Sequence, residues 1–271
     1  MAMSRVKWHV QAAVAAFQFL TRIPVPVEVP FERPVLTRSI AYFPLAGAAI
    51  GLCLAAASWA LPYILPPWPS AIVLLAIWIG ISGGLHLDGW MDTADGVLSH
   101  RSRERMLEIM KDSRVGAMGV IAAVLLLLLK ASLIAWLLGA DYSGHAAIPT
   151  ILIVSAVWSR AWMGVAIAGW KPARPNEGIG RLFHGVRLSH ALVSVALAFI
   201  ISFISLIING INLIEVFILA TAAGVVTFIT GGVLSVWLNR KLGGLTGDTY
   251  GAMNEAIELA MLAAVVIWAY Y

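Results

Sequence analysis

The stretch GAMGVIAAVLLLLLKASLIAWLL, residues Gly116–Leu138, decides the fold class of this protein. It is apolar along its length apart from one charged residue, Lys130. A helix that crosses a membrane needs about 20 mostly apolar residues, because the hydrocarbon core is about 30 Å thick. Gly116–Leu138 therefore has the length and composition of a membrane span.

The composition of the whole chain extends this conclusion. Of 271 residues, 61% are hydrophobic and 12% are charged, whereas an ordinary soluble domain carries about 25% charged residues. The mean hydropathy is +0.89. So few polar side chains cannot cover a soluble fold of this size, and the same numbers exclude disorder, collagen and coiled coil. A single cysteine, Cys53, excludes a disulfide framework and a thiolate metal site.

The same length criterion predicts an all-α, polytopic integral membrane bundle of about seven transmembrane helices. The sixth predicted span, Leu213–Leu238, contains Gly231-Gly232, where we expect the helix to break or tilt. The second predicted span, Ser70–Leu85, is short and ends at Gly83-Gly84. The predicted spans are Ser39–Leu65, Ser70–Leu85, Gly116–Leu138, Ala146–Trp170, His190–Asn209, Leu213–Leu238 and Ala252–Tyr271.

Lysine and arginine residues fall on alternate connections between these spans, and only Lys130 and Arg160 lie inside spans. Because basic loops stay on the cytoplasmic side, this pattern predicts a multi-pass protein of the bacterial cytoplasmic (inner) membrane with a cytoplasmic N-terminus. The basic charge then faces the lipid bilayer, and no basic run with interleaved aromatic residues indicates nucleic acid. The residues on the basic connections are Arg5, Lys7, Arg22, Arg33, Arg38, Arg101, Arg103, Arg105, Lys111, Arg114, Lys171, Arg174, Arg181, Arg187, Arg240 and Lys241.

The N-terminal segment, residues 1–38, is too polar to be a span. Gln11 and Gln18 are seven residues apart and share one face of a predicted helix, whose other faces carry apolar residues. We interpret this segment as an interfacial or re-entrant helix on the cytoplasmic side, without the cleavage pattern of a signal peptide. Residues 1–271 are interpreted as a single membrane-embedded catalytic domain.

The first acidic cluster is GGLHLDGWMDTADG, residues 83–96. Asp88, Asp92 and Asp95 stand at i, i+4 and i+7, which places them on one helix face. Like charges at this spacing repel, and Mg²⁺, which prefers carboxylates together with water and substrate phosphates, would compensate them. The alternative is a solvated helix whose acids pair with the nearby arginines Arg101, Arg103 and Arg105. His86 could be a metal ligand, a base or a helix cap.

A second polar stretch comprises Lys111, Asp112, Ser113 and Arg114. Asp112 or Ser113 could cap the N-terminus of the third span, where open backbone N–H groups favour an anion. Lys111 and Arg114 add positive charge that suits a phosphate. The alternative is a basic anchor at the membrane boundary.

A third stretch, GGLTGDTYGA at residues 243–252, places glycines and Asp248 just before the last span. A glycine-rich turn at a helix N-terminus can hold a phosphate, which makes Thr246, Gly247 and Asp248 candidates for substrate binding. Glu255 and Glu258 extend this acidic face into the span. A fourth stretch, residues 174–181, begins with Arg174 and could hold a nucleotide or only anchor the fourth span.

Acidic helices, basic residues and glycine-rich turns on one side of a membrane indicate metal-assisted phosphoryl transfer. A cation-coupled transporter also gathers acids on broken helices, but near the middle of the bilayer. The acids here stand at helix entrances, which favours an enzyme.

Several of these stretches resemble the adenosylcobinamide-GDP ribazoletransferase (cobalamin 5′-phosphate synthase) family. The resemblance rests on residues 83–96, on RERMLEIMKDSRVG at residues 103–116, on residues 243–252 and on the opening FQFLTRIP at residues 17–24. It runs nearly end to end. The chain departs from the family pattern at Trp90-Met91 and in the Arg174–Gly180 loop, which carries an extra residue.

The resemblance implies a transferase that joins adenosylcobinamide-GDP to α-ribazole or its 5′-phosphate, releases GMP and depends on Mg²⁺. On this basis we assign Asp88, Asp92, Asp112 and Asp248 to the metal and the diphosphate. Asp95 is the predicted general base, with His86 as its substitute and Asp92 as a further catalytic residue. The predicted substrate-binding residues are Lys111, Ser113, Arg114, Arg174, Thr246, Gly247 and Asp248. For the oligomeric state, a homo-oligomer is one alternative.

A related alternative is a CDP-alcohol phosphotransferase of phospholipid synthesis, which also uses an Asp-Gly-rich helix. The fuller signature of that family has Ala-Arg after the Asp-Gly pair and wider spacing of the acids. Here Trp90, Met91 and Asp92 follow Asp88-Gly89. We therefore rank this alternative second.

Overall fold

The computed structural model describes residues 5–139, 148–183 and 185–271, and the regular secondary structure among them is helical apart from one isolated bridge. Short 3₁₀ turns at Ile40–Tyr42 and Leu61–Tyr63 flank the third helix. The helices are α1 (Arg5–Leu20), α2 (Arg33–Ser39), α3 (Phe43–Ala60), α4 (Pro67–Ser82), α5 (Leu85–Val97), α6 (Arg103–Ile109), α7 (Ala117–Gly139), α8 (Ile148–Gly169), α9 (Gly178–Leu182), α10 (Leu188–Ile208), α11 (Leu213–Leu242) and α12 (Gly247–Tyr270).

Six of the described helical segments are long and apolar enough to cross a membrane, and a bent pair makes up to seven. The bent pair is α4 and α5, whose axes differ by 92°. The chain is therefore a multi-pass membrane helical bundle, as the apolar runs predict. The six segments are Arg33–Tyr63, Ala117–Gly139, Ile148–Gly169, Leu188–Ile208, Leu213–Leu242 and Gly247–Tyr270.

Helix α8 lies at the centre of the bundle and packs against α3, α10, α11 and α12. Its closest neighbour is α3, because Gly47 and Gly51 stand one turn apart on the face of α3 that meets α8. A Cβ at Gly47 would lie 2.4 Å from the carbonyl oxygen of Ala156, and one at Gly51 would lie 2.5 Å from the Cα of Ile153. Small residues at this spacing let two membrane helices approach until their backbones touch.

Helix α11 is continuous over 30 residues, so the break expected at Gly231-Gly232 does not occur. The glycines serve packing instead. A Cβ at Gly231 would lie 2.2 Å from the Trp162 ring, which fills the space left by the missing side chain. The expectation of a break was wrong, because a glycine inside a helix can be compensated by a neighbouring helix that packs closely against it. The alternative expectation, a tilted helix, stays a prediction.

The N-terminal segment forms the predicted helix, α1, which packs against α2 and α3. Ala12, Ala15, Ala16 and Leu20 are fully buried on its inner face. Gln18 donates a hydrogen bond of 2.7 Å to the carbonyl oxygen of Val27 and so ties the helix to the chain that follows it. Its placement at the membrane surface stays a prediction.

Candidate active site

The acidic helix α5 starts at a sharp change of direction made by Gly83 and Gly84. Both have positive φ angles, 66° and 70°, a conformation that glycine adopts without strain. The turn ends α4 and lets α5 leave at 92° to it. Asp88, Asp92 and Asp95 follow on this single helix, as the spacing predicts.

The N-terminus of α12 is the second wall of the site. Thr246 is its N-cap: the hydroxyl accepts a hydrogen bond from the backbone N–H of Thr249 and donates one to Asp248 Oδ2, both at 3.3 Å. Leu245 forms an isolated parallel bridge with Pro172, so the turn before α12 is fixed to the segment that carries Arg174. The predicted glycine-rich turn is thus confirmed as a helix start.

Glycines bring these two walls into direct contact. A Cβ at Gly89 would lie 2.6 Å from the carbonyl oxygen of Asp248, and one at Gly251 would lie 3.1 Å from the carbonyl oxygen of His86. The partner that approaches each of these two glycines is the backbone of the facing helix. This contact places the acids of α5 beside Asp248.

A cavity of about 250 Å³ opens where α5, α12 and the 172–178 segment meet. Four of the seven residues predicted to bind substrate line it, together with His86 and Asp88. Lys111, Ser113 and Arg114 do not line it, and neither do Asp92, Asp95 and Asp112. The predicted residues in its wall are His86, Asp88, Arg174, Thr246, Gly247 and Asp248.

Negative charge accumulates at this cavity. The carboxylate of Asp92 lies within electrostatic range of Asp88, Asp248 and Asp95, and Arg174 is the opposing charge. Arg174 donates a hydrogen bond of 3.4 Å to Asp248 Oδ2. One guanidinium therefore faces several carboxylates, a surplus of negative charge that a divalent cation would offset.

The alternative that the α5 acids pair with nearby arginines is not what the structure shows. Arg105 pairs with Glu108 at 2.7 Å, and Arg103 donates to the carbonyl oxygens of Arg240 and Lys241. In the described part of the chain, no ion pair joins an α5 carboxylate to Arg101, Arg103 or Arg105.

Asp95 has a defined partner, the N-terminus of α7. Its two carboxylate oxygens accept hydrogen bonds of 2.7 Å from the backbone N–H groups of Gly116 and Gly119. A Cβ at Gly119 would lie 2.4 Å from Asp95 Oδ2, so only glycine admits the carboxylate here. The expectation that Asp112 or Ser113 caps this helix was wrong, because the cap comes from α5 across the fold.

The polar stretch before α7 forms ion pairs of its own. Asp112 accepts hydrogen bonds from the backbone N–H of Arg114 and from its guanidinium, at 3.0 and 2.6 Å, which lower the pKa of the Asp112 carboxyl to about 2. Lys111 pairs with Glu177 and lowers the pKa of that carboxyl below its usual value. The four side chains are at least one-third exposed, so these pairs contribute little to stability.

A buried charge network adjoins the cavity, and the sequence indicated its charged residues but not which of them pair. Lys130 Nζ on α7 lies 2.5 Å from Glu255 Oε2 and 2.6 Å from Glu258 Oε2 on α12. Arg160 on α8 pairs with the same Glu258 and lies 3.3 Å from His86 Nδ1. A cation inside a membrane span is expected to face the bundle interior and to pair, and both Lys130 and Arg160 do so. Glu255 and Glu258 serve this network and do not line the cavity.

Eight residues of the cavity wall were not among the predicted site residues, namely Phe19, Leu85, Gly89, Met163, Glu177, Gly178, Leu245 and Gly251. Phe19 and Met163 belong to apolar runs that look like ordinary core. Glu177 had a signal, since it stands three residues after Arg174 in a polar loop. Its pairing with Lys111 links the cavity to the second polar stretch.

The chain is similar to a protein family along nearly its whole length. The family model described as Cobalamin-5-phosphate synthase matches residues 12–266. No solved structure matches this chain.

Several curated relatives carry the name adenosylcobinamide-GDP ribazoletransferase. One from Brevibacillus brevis is 37% identical, covering 94% of this chain and 97% of the relative. One from a Roseiflexus species is 40% identical, covering 93% and 88% of the two chains. One from Desulfitobacterium hafniense is 39% identical, covering 91% and 93%. This protein belongs to the cobalamin-5-phosphate synthase family.

Proposed function

We propose that this protein joins adenosylcobinamide-GDP to α-ribazole, or to its 5′-phosphate, and releases GMP. A ribose hydroxyl of α-ribazole attacks the phosphorus that carries the cobinamide, the bond from that phosphorus to GMP breaks, and the hydroxyl proton passes to a base. The family and the names of the relatives support this reaction. The observation that carries it is the cavity in which Asp88 and Asp248 face Arg174.

The cavity residues fit Mg²⁺. Within the described residues, no three His, Cys, Asp or Glu side chains converge to hold a metal ion without other ligands. Mg²⁺ commonly binds through one or two carboxylates and completes its shell with water and substrate phosphates. Asp88 and Asp248 would hold it, with Asp92 close enough to add charge. When bound, Mg²⁺ would neutralise charge on the diphosphate and the departing GMP.

The hydrogen bonds of the site favour Asp92 as the base. Asp95, the residue first assigned this role, has both oxygens engaged by backbone N–H groups of α7. His86 Nδ1 lies beside the Arg160 guanidinium, which carries hydrogen-bond donors but no acceptor. Nδ1 therefore accepts a hydrogen bond there and is not available to take a proton from the substrate. Among the described residues, none donates a hydrogen bond to Asp92. Its lone pairs are therefore available to a substrate hydroxyl.

The basic residues fall into two groups. Arg174 lines the cavity and is placed to contact a diphosphate directly. Lys111 and Arg114 are each paired with a carboxylate and must exchange it for a phosphate in order to bind substrate. Since Glu177 lines the cavity, Lys111 stands nearer to it than Asp112 and Arg114 do. Asp112 and Arg114 pair with each other outside the cavity, and we assign neither of them to the metal.

We further propose that residues 1–271 form one catalytic domain in the bacterial inner membrane, with the cavity facing the cytoplasm. The alternation of basic connections supports this orientation. Both walls of the cavity are helix starts or ends that join these connections. Neither a CDP-alcohol phosphotransferase nor a transporter is favoured by the comparisons.

The experiment uses the purified protein in liposomes with adenosylcobinamide-GDP, α-ribazole 5′-phosphate and Mg²⁺. Chromatography follows GMP and the cobalamin product together, with EDTA as one control. Asp92→Asn should abolish turnover, because Asp92 lies among Asp88, Asp248 and Arg174. The matched variant Asp112→Asn, whose exposed carboxylate pairs with Arg114, should keep most of it. Full turnover of Asp92→Asn at saturating Mg²⁺ would refute the assignment. Turnover of a CDP-alcohol without GMP release would replace the proposed reaction.

A further inference from the structure

A second polar pocket, of about 410 Å³, lies away from the catalytic cavity and takes no part in the proposed reaction. Helix α2 supplies Arg33, Thr37 and Arg38 to its wall. The start of α10 and the chain before it supply Arg187, Ser189 and His190. We call these six residues the basic pocket.

The basic pocket has positive charge without a counter-charge. Among the described residues, no carboxylate lies within ion-pair distance of Arg33, Arg38 or Arg187. Glu32 precedes Arg33 in the chain and pairs with none of them. Three guanidinium groups that converge unpaired repel one another, and an anion bound between them would remove this repulsion.

Two of the groups in the wall are held in place by their neighbours. The Arg38 guanidinium lies 4.7 Å from the centre of the Trp8 ring and donates a hydrogen bond of 2.8 Å to the carbonyl oxygen of Pro34. His190 Nδ1 accepts a hydrogen bond from the backbone N–H of Arg187, so the proton of the neutral ring sits on Nε2 as a further donor. Arg38 and His190 therefore present hydrogen-bond donors at fixed positions in the wall.

Guanidinium groups, hydroxyls and imidazole N–H groups together match the oxygens of a phosphate. The pocket also stands where two apolar segments begin, Arg33–Tyr63 and Leu188–Ile208. Directly along α10 from the pocket, Leu188 and Leu192 are 65% and 61% exposed. A phosphate bound here would have an apolar surface beside it. A phospholipid can contact both the hydrogen-bond donors and this surface, whereas a free phosphate can contact only the donors.

We propose that the basic pocket binds the phosphate of an anionic phospholipid. The acyl chains would lie along the exposed apolar face of α10. The pocket is connected to the catalytic cavity through α9, because Glu177 and Gly178 line the cavity and Arg187 lies in the pocket wall. Helix α9 also packs against α2. A bound lipid would thus hold the Arg187 end of the segment whose other end, Glu177 and Gly178, lines the cavity.

The test measures lipid binding and does not depend on the catalytic reaction. The full chain in detergent is titrated with short-chain phosphatidylglycerol, and native mass spectrometry reports the bound lipid. Each basic residue near an anionic surface contributes about 1 kcal/mol, a factor of about five in affinity. Arg33→Gln and Arg187→Gln should each weaken binding about fivefold, and Arg187→Lys should weaken it less. Arg240→Gln, an exposed arginine outside the pocket, should bind like the unchanged protein.

Each other result would overturn the proposal. Unchanged binding by Arg33→Gln and Arg187→Gln would exclude the pocket as the site. An equal loss in Arg240→Gln would show only a general attraction between basic loops and anionic lipid. Displacement of the lipid by inorganic phosphate at similar concentration would indicate a site for a soluble phosphate. Equal binding of phosphatidylcholine would show that the apolar face acts alone.

Discussion

Removing one charge from the buried network should destabilise the protein strongly, and removing a matched opposite charge should restore part of the loss. The network holds two cations, Lys130 and Arg160, and two carboxylates, Glu255 and Glu258. All four residues are at least nine-tenths buried. Lys130→Met leaves one uncompensated negative charge, and Glu255→Gln leaves one uncompensated positive charge.

The size of the effect follows from this burial. Breaking a buried ion pair by removing one partner costs about 3–5 kcal/mol, because the remaining charge stays out of water. The double variant Lys130→Met with Glu255→Gln keeps only Arg160 and Glu258, which are already paired. We therefore expect each single change to lower the free energy of unfolding by about 3 kcal/mol. The double change should cost at least about 2 kcal/mol less than the sum of the two.

The assay is reversible unfolding of the purified protein in mixed micelles, with the four chains of the double-mutant cycle measured side by side. Lys241→Met, which changes an exposed lysine, is the control and should leave the unfolding curve nearly unchanged. Additive costs in the double variant would refute the reasoning, since they would mean that Lys130 and Glu255 do not compensate each other. A single-variant cost below about 1 kcal/mol would mean that water reaches the network.

Three further predictions concern close contacts. Gly89→Ala should separate α5 from α12 and lower turnover at least tenfold in the GMP-release assay, whereas Gly80→Ala, with nothing within 4 Å, should leave turnover unchanged. Gly231→Ala should lower the free energy of unfolding by about 1–3 kcal/mol by pressing on Trp162, and its neighbour Gly232→Ala should not; equal unfolding curves would contradict this packing. Asp95→Asn should cost about 1–2 kcal/mol, because its amide N–H₂ would face one of two backbone donors, while the exposed Asp112→Asn should change stability little in the same measurement.

The positions at which the membrane helices start and end follow from the apolar runs in the sequence. Apolar runs such as Gly116–Leu138 and Leu213–Leu238 start and end within a few residues of α7 and α11. The reason is that only a helix satisfies its backbone hydrogen bonds in lipid, so a long apolar run has one available conformation. The exception is Gly231-Gly232. The tendency of glycine to break a helix does not indicate that the Trp162 ring of a neighbouring helix packs against Gly231.

The acids of the site could be recognised from their spacing, but their partners could not. The i, i+4, i+7 pattern placed Asp88, Asp92 and Asp95 on one face, and this face exists. Nothing in the spacing distinguished Asp88, which lines the cavity, from Asp95, which caps α7. The difference arises because α7 begins beside the C-terminal end of α5, a relation between helices that are not adjacent in the chain.

The sequence by itself thus determined the membrane class, the positions of the apolar helices and the residues that carry charge among them. Tertiary structure alone decided which charges face a substrate and which neutralise one another. Glu255 and Glu258 continue the face of α12 that begins with Asp248, yet they pair with Lys130 and Arg160 from two other helices. The physical reason is that burying a charge is expensive, so its role depends on which opposite charge the packing brings within reach.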